Sequence, residues 1–268
     1  MIPFMKRSLK VTATELTQKQ DIIPHYRDGK SIVKIVPKKG TTFDTCATIG
    51  NEFVCCNVKV LKAVSNCPFD CSYCFLQNYL NDGTTKVIGD IAAMMTEVDD
   101  QLTAHPNRFF RIGTWELGDS LALEEHVGQA KSFIHEFAKR SNVVLELKTK
   151  SDCVDGILAC DHQSKTVVSW SVNTAFIVDT EEHRTARLHE RILAMKKVVD
   201  VGYLVGLHFD PMIIHDGWED GYTQAISDIF ESVPPSRIAW ISIGSLRFNP
   251  EQKDKMEENF PRQTLTSE

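Results

Sequence analysis

Across residues 59–250, short apolar runs take turns with longer segments of helical spacing. The runs at 60–64, 109–115, 143–149, 166–173, 203–209 and 237–245 read as strands. Between them, 75–82, 88–104, 121–139, 152–160, 182–200 and 217–232 read as helices. In the second of these, Ile91, Met94, Met95 and Val98 recur at the intervals of one helical face. Strands joined by helical crossovers predict a parallel sheet with right-handed connections. Six such units predict an α/β fold, a partial (β/α)6 barrel of the TIM type, with its chemistry at the carboxyl ends of the strands.

This core is expected over 59–250. Residues 1–58 read as an N-terminal extension with short strands, one at 31–36 closed by Pro37 and Gly40, another at 53–58 containing Cys55 and Cys56; residues 251–268 read as a tail. Gly29-Lys30-Ser31 imitates the end of a phosphate-binding loop, but Pro24 stands where that motif needs its first glycine, so a P-loop is excluded.

Composition narrows the class. An apolar fraction of 42% and a charged fraction of 25% over 268 residues are those of an ordinary globular protein. Net charge −6 gives no global electrostatic footprint for nucleic acid, although a local basic groove remains compatible with it. No apolar run reaches membrane-spanning length and the first residues lack a signal-peptide core, so a cytoplasmic protein with no membrane partner is expected. Eight irregularly spaced cysteines are too few for a secreted disulfide scaffold, which favours reduced thiols and metal ligation.

Three of those cysteines, Cys67, Cys71 and Cys74, form a C-x3-C-x2-C run directly after the first core strand. Three crowded thiolates without a close fourth suit a [4Fe-4S] cluster whose fourth iron stays open to a ligand. Zinc is the alternative, and it wants a fourth Cys or His, for which Cys55 and Cys56 are the nearest candidates upstream.

The spacing resembles the cluster motif of the radical S-adenosyl-L-methionine (AdoMet, SAM) enzymes, including Tyr73 before the third cysteine. The resemblance extends to Cys71-Ser-Tyr-Cys-Phe-Leu-Gln, Lys148-Thr-Lys150, Ser169-Trp-Ser-Val-Asn173, Trp218-Glu219-x-Gly221-Tyr222, Leu246-Arg-Phe248 and Asn259-Phe-Pro261. Together these are similar to the spore photoproduct lyase family, over roughly residues 30–262. The resemblance implies a radical SAM partial barrel with the cluster on Cys67, Cys71 and Cys74. It implies reductive cleavage of AdoMet to a 5′-deoxyadenosyl radical that abstracts hydrogen from a substrate. An electron donor such as flavodoxin or ferredoxin is implied as a partner. By position, Tyr73 would lie by the adenine, with Phe75 close by in the cofactor site. Gly118 and Asp119 would lie near the methionine end, Lys150 would face the methionine carboxylate, and Ser171 and Asn173 would bind the ribose or carboxylate.

Two departures bear on the substrate. The segment Gly113–Asp119, equivalent to the one that carries the family's hydrogen-donating cysteine after the second core strand, has no cysteine, Glu116 falling nearest, and the family's tyrosine after the third cluster cysteine is Phe75 here, which has no labile hydrogen. By the resemblance, the tail is also expected to lack or shorten the family's DNA-engaging C-terminal segment. The implied function is therefore radical AdoMet chemistry on an unidentified substrate, with nucleic acid as a candidate. Alternatives are DNA photoproduct repair proper and a zinc-stabilised module that binds nucleic acid or protein. Glu116 is the candidate catalytic residue, orienting a polar substrate or moving a proton, with Cys46 or Cys55 as a thiol to quench the product radical. His208 and His215 could form an acid/base or metal cluster with nearby carboxylates, but a helix start capped by Asp216 is the favoured reading. Arg247 could bind an anion, and Cys153 and Cys160 have the spacing of a buried helical face.

Overall fold

The computed structural model describes residues 10–12, 26–46 and 58–266; Cys55, Cys56 and the strand expected at 53–58 lie almost wholly outside them. Strands β1 (Lys10–Thr12), β2 (Ile32–Val36) and β3 (Phe43–Thr45) lead to β4 (Lys59–Leu61), β5 (Val64–Ser65) and β6 (Asp70–Cys71). Helix α1 (Leu76–Tyr79), β7 (Thr85–Ile88), α2 (Ile91–Ala104) and β8 (Phe110–Gly113) follow. Then come α3 (Glu124–Val127), α4 (Gln129–Phe137), β9 (Val143–Thr149), β10 (Thr166–Ser171), α5 (Ala175–Thr180) and β11 (Glu182–His183). Helix α6 (Leu188–Asp200), β12 (Leu204–Met212), α7 (Trp218–Ser232), β13 (Ile238–Ser245) and α8 (Pro250–Asn259) complete the order.

The main sheet has the order β13-β12-β10-β9-β8-β4-β3. The six expected core strands are its neighbours β4 to β13, all parallel, and only β3 runs antiparallel at the edge. Every residue of β10 is buried, as a strand covered on both faces requires. The core lies between the sheet and its helices: Met94, Met95 and Val98 of α2, Phe133, Ile134 and Phe137 of α4, and Met195 and Val198 of α6 pack on it. Full burial of each such side chain contributes about 1.5–3 kcal/mol. A smaller sheet, β1-β2-β7-β5, stands beside the barrel and carries the chain into the cysteine loop.

Local chemistry sets the boundaries. Asp90 caps α2 by accepting from the Ala93 N–H at 3.0 Å, and Asn249 caps α8 by accepting from Gln252 at 2.8 Å. The helix expected over 121–139 is two helices, because Gly128 takes φ +66° between them. The one expected over 182–200 starts only at Leu188, since Glu182–His183 pair antiparallel with Asp70–Cys71. No α-helix forms over 152–160, only a short turn at Asp155–Ile157; the Ser151 hydroxyl accepts from Cys153 N–H, so Cys153 and Cys160 do not share a helical face. Helix α7 begins after Gly217 at φ +75°, not on an Asp216 side-chain cap. The segment after 250, read from sequence as a tail, forms α8 against α1 and the cysteine loop.

Candidate active site

The cysteine loop leaves β5 through Asn66, a buried residue at φ +71°. Its carboxamide oxygen accepts from Cys67 N–H at 2.8 Å and from the Tyr26 hydroxyl at 3.1 Å, and its amide donates to Gly83 O at 2.6 Å. Beneath the loop lies the Lys30 ammonium, 1% exposed, donating to Cys67 O at 3.1 Å, Phe69 O at 2.6 Å and the Tyr26 hydroxyl at 3.0 Å. All three ammonium hydrogens are thereby used, and a positive charge sits under the thiols. Arg27 ties the loop to the carboxyl end of the chain: its guanidinium pairs with buried Asp70 at 2.8 Å, donates to Asn259 O at 2.9 Å and stacks on Phe260. From α8, Gln252 donates to Cys74 O at 2.9 Å, and Met256 packs against Cys71 and Tyr73.

Cys74 lies within electrostatic reach of both Cys67 and Cys71. Burial pushes the Cys71 thiol up to about 12 and the Cys67 thiol well above its usual range, so thiolates there need a cation to stabilise them. Among the described residues no three His, Cys, Asp or Glu side chains group as ligands of one metal ion. A cubane cluster, by contrast, places its three thiolates on separate irons.

Beside the thiols runs a buried polar chain. The Tyr73 hydroxyl donates to Glu182, Asn173 donates to Glu182 at 2.9 Å, and the Tyr222 hydroxyl donates to Asn173 Oδ1 at 2.7 Å. Fully buried Arg191 closes it, pairing with Glu182 at 2.5 Å and donating to Ser171 O at 3.0 Å. Burial opposes the Glu182 charge, but Arg191 and Lys150 outweigh it and hold the carboxyl at about 2. The Lys150 ammonium lies 5.4 Å from the Tyr73 ring centre; burial opposes its charge, yet Glu182 and Cys71 hold it above its usual range.

The expected site residues divide. Tyr73, Lys150, Asn173 and the backbone of Ser171 meet in this one network. Gly118 packs on the loop entrance, where a Cβ would stand 2.8 Å from Asn66 O, so only glycine lets the two segments meet. Asp119 accepts from Leu121 and Ala122 N–H, the Thr149 hydroxyl and Lys150 N–H at 2.6–3.0 Å, stapling the segment after β8 to β9. Phe75 is 52% exposed and edge-on to Tyr79. Glu116 stands 3.9 Å from Lys62. His208 and His215 have different partners, Glu146 at 2.8 Å and the Thr174 hydroxyl at 2.8 Å.

Deeper in the barrel is a hub that the sequence did not reveal. Glu146 of β9, fully buried, accepts from Arg111, Trp115, Ser169, His208 and Trp240 at 2.8–3.1 Å. Burial opposes its charge, but His208 and Arg111 outweigh burial and hold the carboxyl at about 2. Burial, helped by nearby Lys148, keeps His208 below its usual range and therefore neutral.

The family model described as spore photoproduct lyase matches residues 7–268. The chain belongs to the spore photoproduct lyase family. It is thereby an enzyme of the radical SAM lyase type. The spore photoproduct lyase of Bacillus subtilis (strain 168) is 24% identical over 246 residues, covering 91% of this chain and 70% of the relative. That of Geobacillus sp. (strain Y412MC61) is 25% identical over 252 residues, 91% of this chain and 70% of the relative. A solved spore photoproduct lyase double mutant with bound AdoMet and dinucleoside spore photoproduct superposes with a TM-score of 0.83 at 21% identity, over 94% of this chain and 74% of that one. This likeness establishes the shared partial-barrel fold. Among the described residues no helix is long and apolar enough to cross a membrane.

Proposed function

We propose that Cys67, Cys71 and Cys74 hold a [4Fe-4S] cluster, that AdoMet lies across the carboxyl ends of β8 to β10, and that the substrate radical is not quenched by the family's own relay. The observation that carries this reading is the cysteine loop, held by Lys30, Asn66 and Arg27 at the mouth of the barrel beside Lys150 and Asn173. When bound, the cluster and AdoMet supply the one-electron reductive cleavage that yields the radical. The protein's own groups do the rest. Lys150 offers an ammonium to the methionine carboxylate, and Asn173, fixed between Tyr222, Glu182 and Tyr73, holds the ring of Tyr73 in place for adenine. Glu116, where the family's donor cysteine would be, can orient a polar group or move a proton but is a poor hydrogen-atom donor.

The test is anaerobic reconstitution with iron and sulfide, then reduction with AdoMet and chromatography for 5′-deoxyadenosine. Wild type is expected to be brown and to form 5′-deoxyadenosine, and Cys71→Ala to do neither. Glu116→Ala is expected to cleave AdoMet but to lose substrate turnover. Retention of zinc instead of iron would sink the cluster reading. A second reading, repair of spore photoproduct itself, is favoured by that ligand's presence in solved relatives. Conversion of dinucleoside spore photoproduct to two thymidines would establish it.

A further inference from the structure

Alternate residues of β9 point to one side, so Glu146 and Lys148 share a row that continues to Lys150 just past the strand's end. Two of the three have their charge accounted for. Glu146 is surrounded by its own donors, and Lys150 stands beside Glu182 and the Tyr73 ring. Lys148 is different: among the described residues no hydrogen bond or ion pair holds its ammonium, which lies over the Trp115 ring at 4.7 Å. Both carboxylates in its electrostatic reach, Glu146 and Asp210, have arginine partners, Arg111 at 2.8 Å and Arg247 at 3.8 Å. Burial and repulsion from Lys150 push the Lys148 amine below its usual range.

We infer that Lys148 is an oxyanion-binding residue of the substrate site, and that the substrate carries a phosphate or carboxylate that lodges between Trp115 and the rim of the barrel. The inference rests on the proposed reading of the site and names its substrate class. A buried cation whose ammonium touches no carboxylate among the described residues is unfavourable, and an anionic ligand group offsets both the desolvation penalty and the Lys150 repulsion in one contact. The aromatic face of Trp115 fixes the ammonium without neutralising it, which leaves its charge for a ligand. The Glu116 carboxylate, one residue beyond Trp115, faces Lys62 at 3.9 Å.

The test is isothermal titration of reconstituted protein, saturated with AdoMet, with sodium phosphate and separately with sodium acetate at constant ionic strength. Four proteins are compared: wild type, Lys148→Met, Lys148→Arg and, as control, Lys196→Met on the outer face of α6. One of the two anions is expected to bind wild type, the Arg variant and the control, and to bind Lys148→Met about tenfold more weakly or worse. Phosphate alone identifies a phosphorylated substrate, acetate alone a carboxylate. Equal affinity in Lys148→Met, no binding of either anion to wild type, or binding only when AdoMet is omitted overturns the proposal. Unchanged melting of Lys148→Met separates lost binding from lost fold. If 5′-deoxyadenosine never forms but Lys148-dependent anion binding does occur, the radical reading fails, and with it the assignment of the anion as a substrate group, while the anion site itself stands.

Discussion

At the scale of single residues, Lys30 shows how a side chain acquires a role from its surroundings. In the sequence it completes a false phosphate-loop ending; in the fold its ammonium closes the underside of the cysteine loop with three hydrogen bonds. A methionine there would fill much of the same space but leave two buried carbonyls without a donor. Lys30→Met is expected to lower stability by about 2 kcal/mol or more and to reduce iron retained per chain after reconstitution. Thermal unfolding and iron analysis check both; equal iron content and melting temperature would show that the loop is held without it. Asp119 is a similar case, an expected cofactor residue whose carboxylate the structure uses to staple two segments, fixing where Gly118 and Lys150 stand.

At the scale of elements, Glu146 binds β8, β9, β10, β12 and β13 to one another from inside the barrel. Breaking a buried ion pair on one side costs about 3–5 kcal/mol, so Glu146→Gln is expected to be among the more destabilising single changes in the core. The pH dependence follows from the directions of shift. The Glu146 carboxyl lies at about 2, below its ordinary 4.5, so its stabilisation is full above 4.5 and is lost as pH falls toward 2. His208 lies below its ordinary 6.5, so the unfolded chain takes the proton first and stability begins to fall below that pH. Urea midpoints measured from pH 7 downward should decline from about 6.5 in wild type, and the part below 4.5 should be shallower in Glu146→Gln. Parallel curves for the two proteins would refute the assignment.

For the whole molecule, no described residues cover one side of the barrel. Strand β13 alternates half-buried and exposed positions throughout and carries no charge, with Ile241 50% and Ile243 73% exposed. With Ile226 and Phe230 of α7 these residues line an apolar groove of about 190 Å³. An uncharged edge strand is a template for pairing with another chain. Ile243→Lys is expected to change stability by no more than about 0.5 kcal/mol and to reduce self-association, read by light scattering at increasing protein concentration. A large fall in melting temperature would mean that Ile243 is a core residue after all.

The sequence by itself determined what local spacing can carry. The three cysteines lie within eight residues, and the six strands announce themselves as apolar runs, because both signals are complete inside one short window. Even here, locality misled where a turn competed: the apolar spacing over 152–160 is helical, but the hydrogen bond from Cys153 N–H to the Ser151 hydroxyl favours a turn. What only the tertiary structure decided is which charges become buried pairs. Arg27 meets Asn259 across 232 positions, Tyr73 meets Glu182 across 109, and Glu146 meets His208 across 62. A buried carboxylate and a surface one are the same letter in the sequence. They are told apart only when the barrel closes, removes water and gives each charge its own surroundings, carboxylate among donors at Glu146, ammonium over an aromatic face at Lys148.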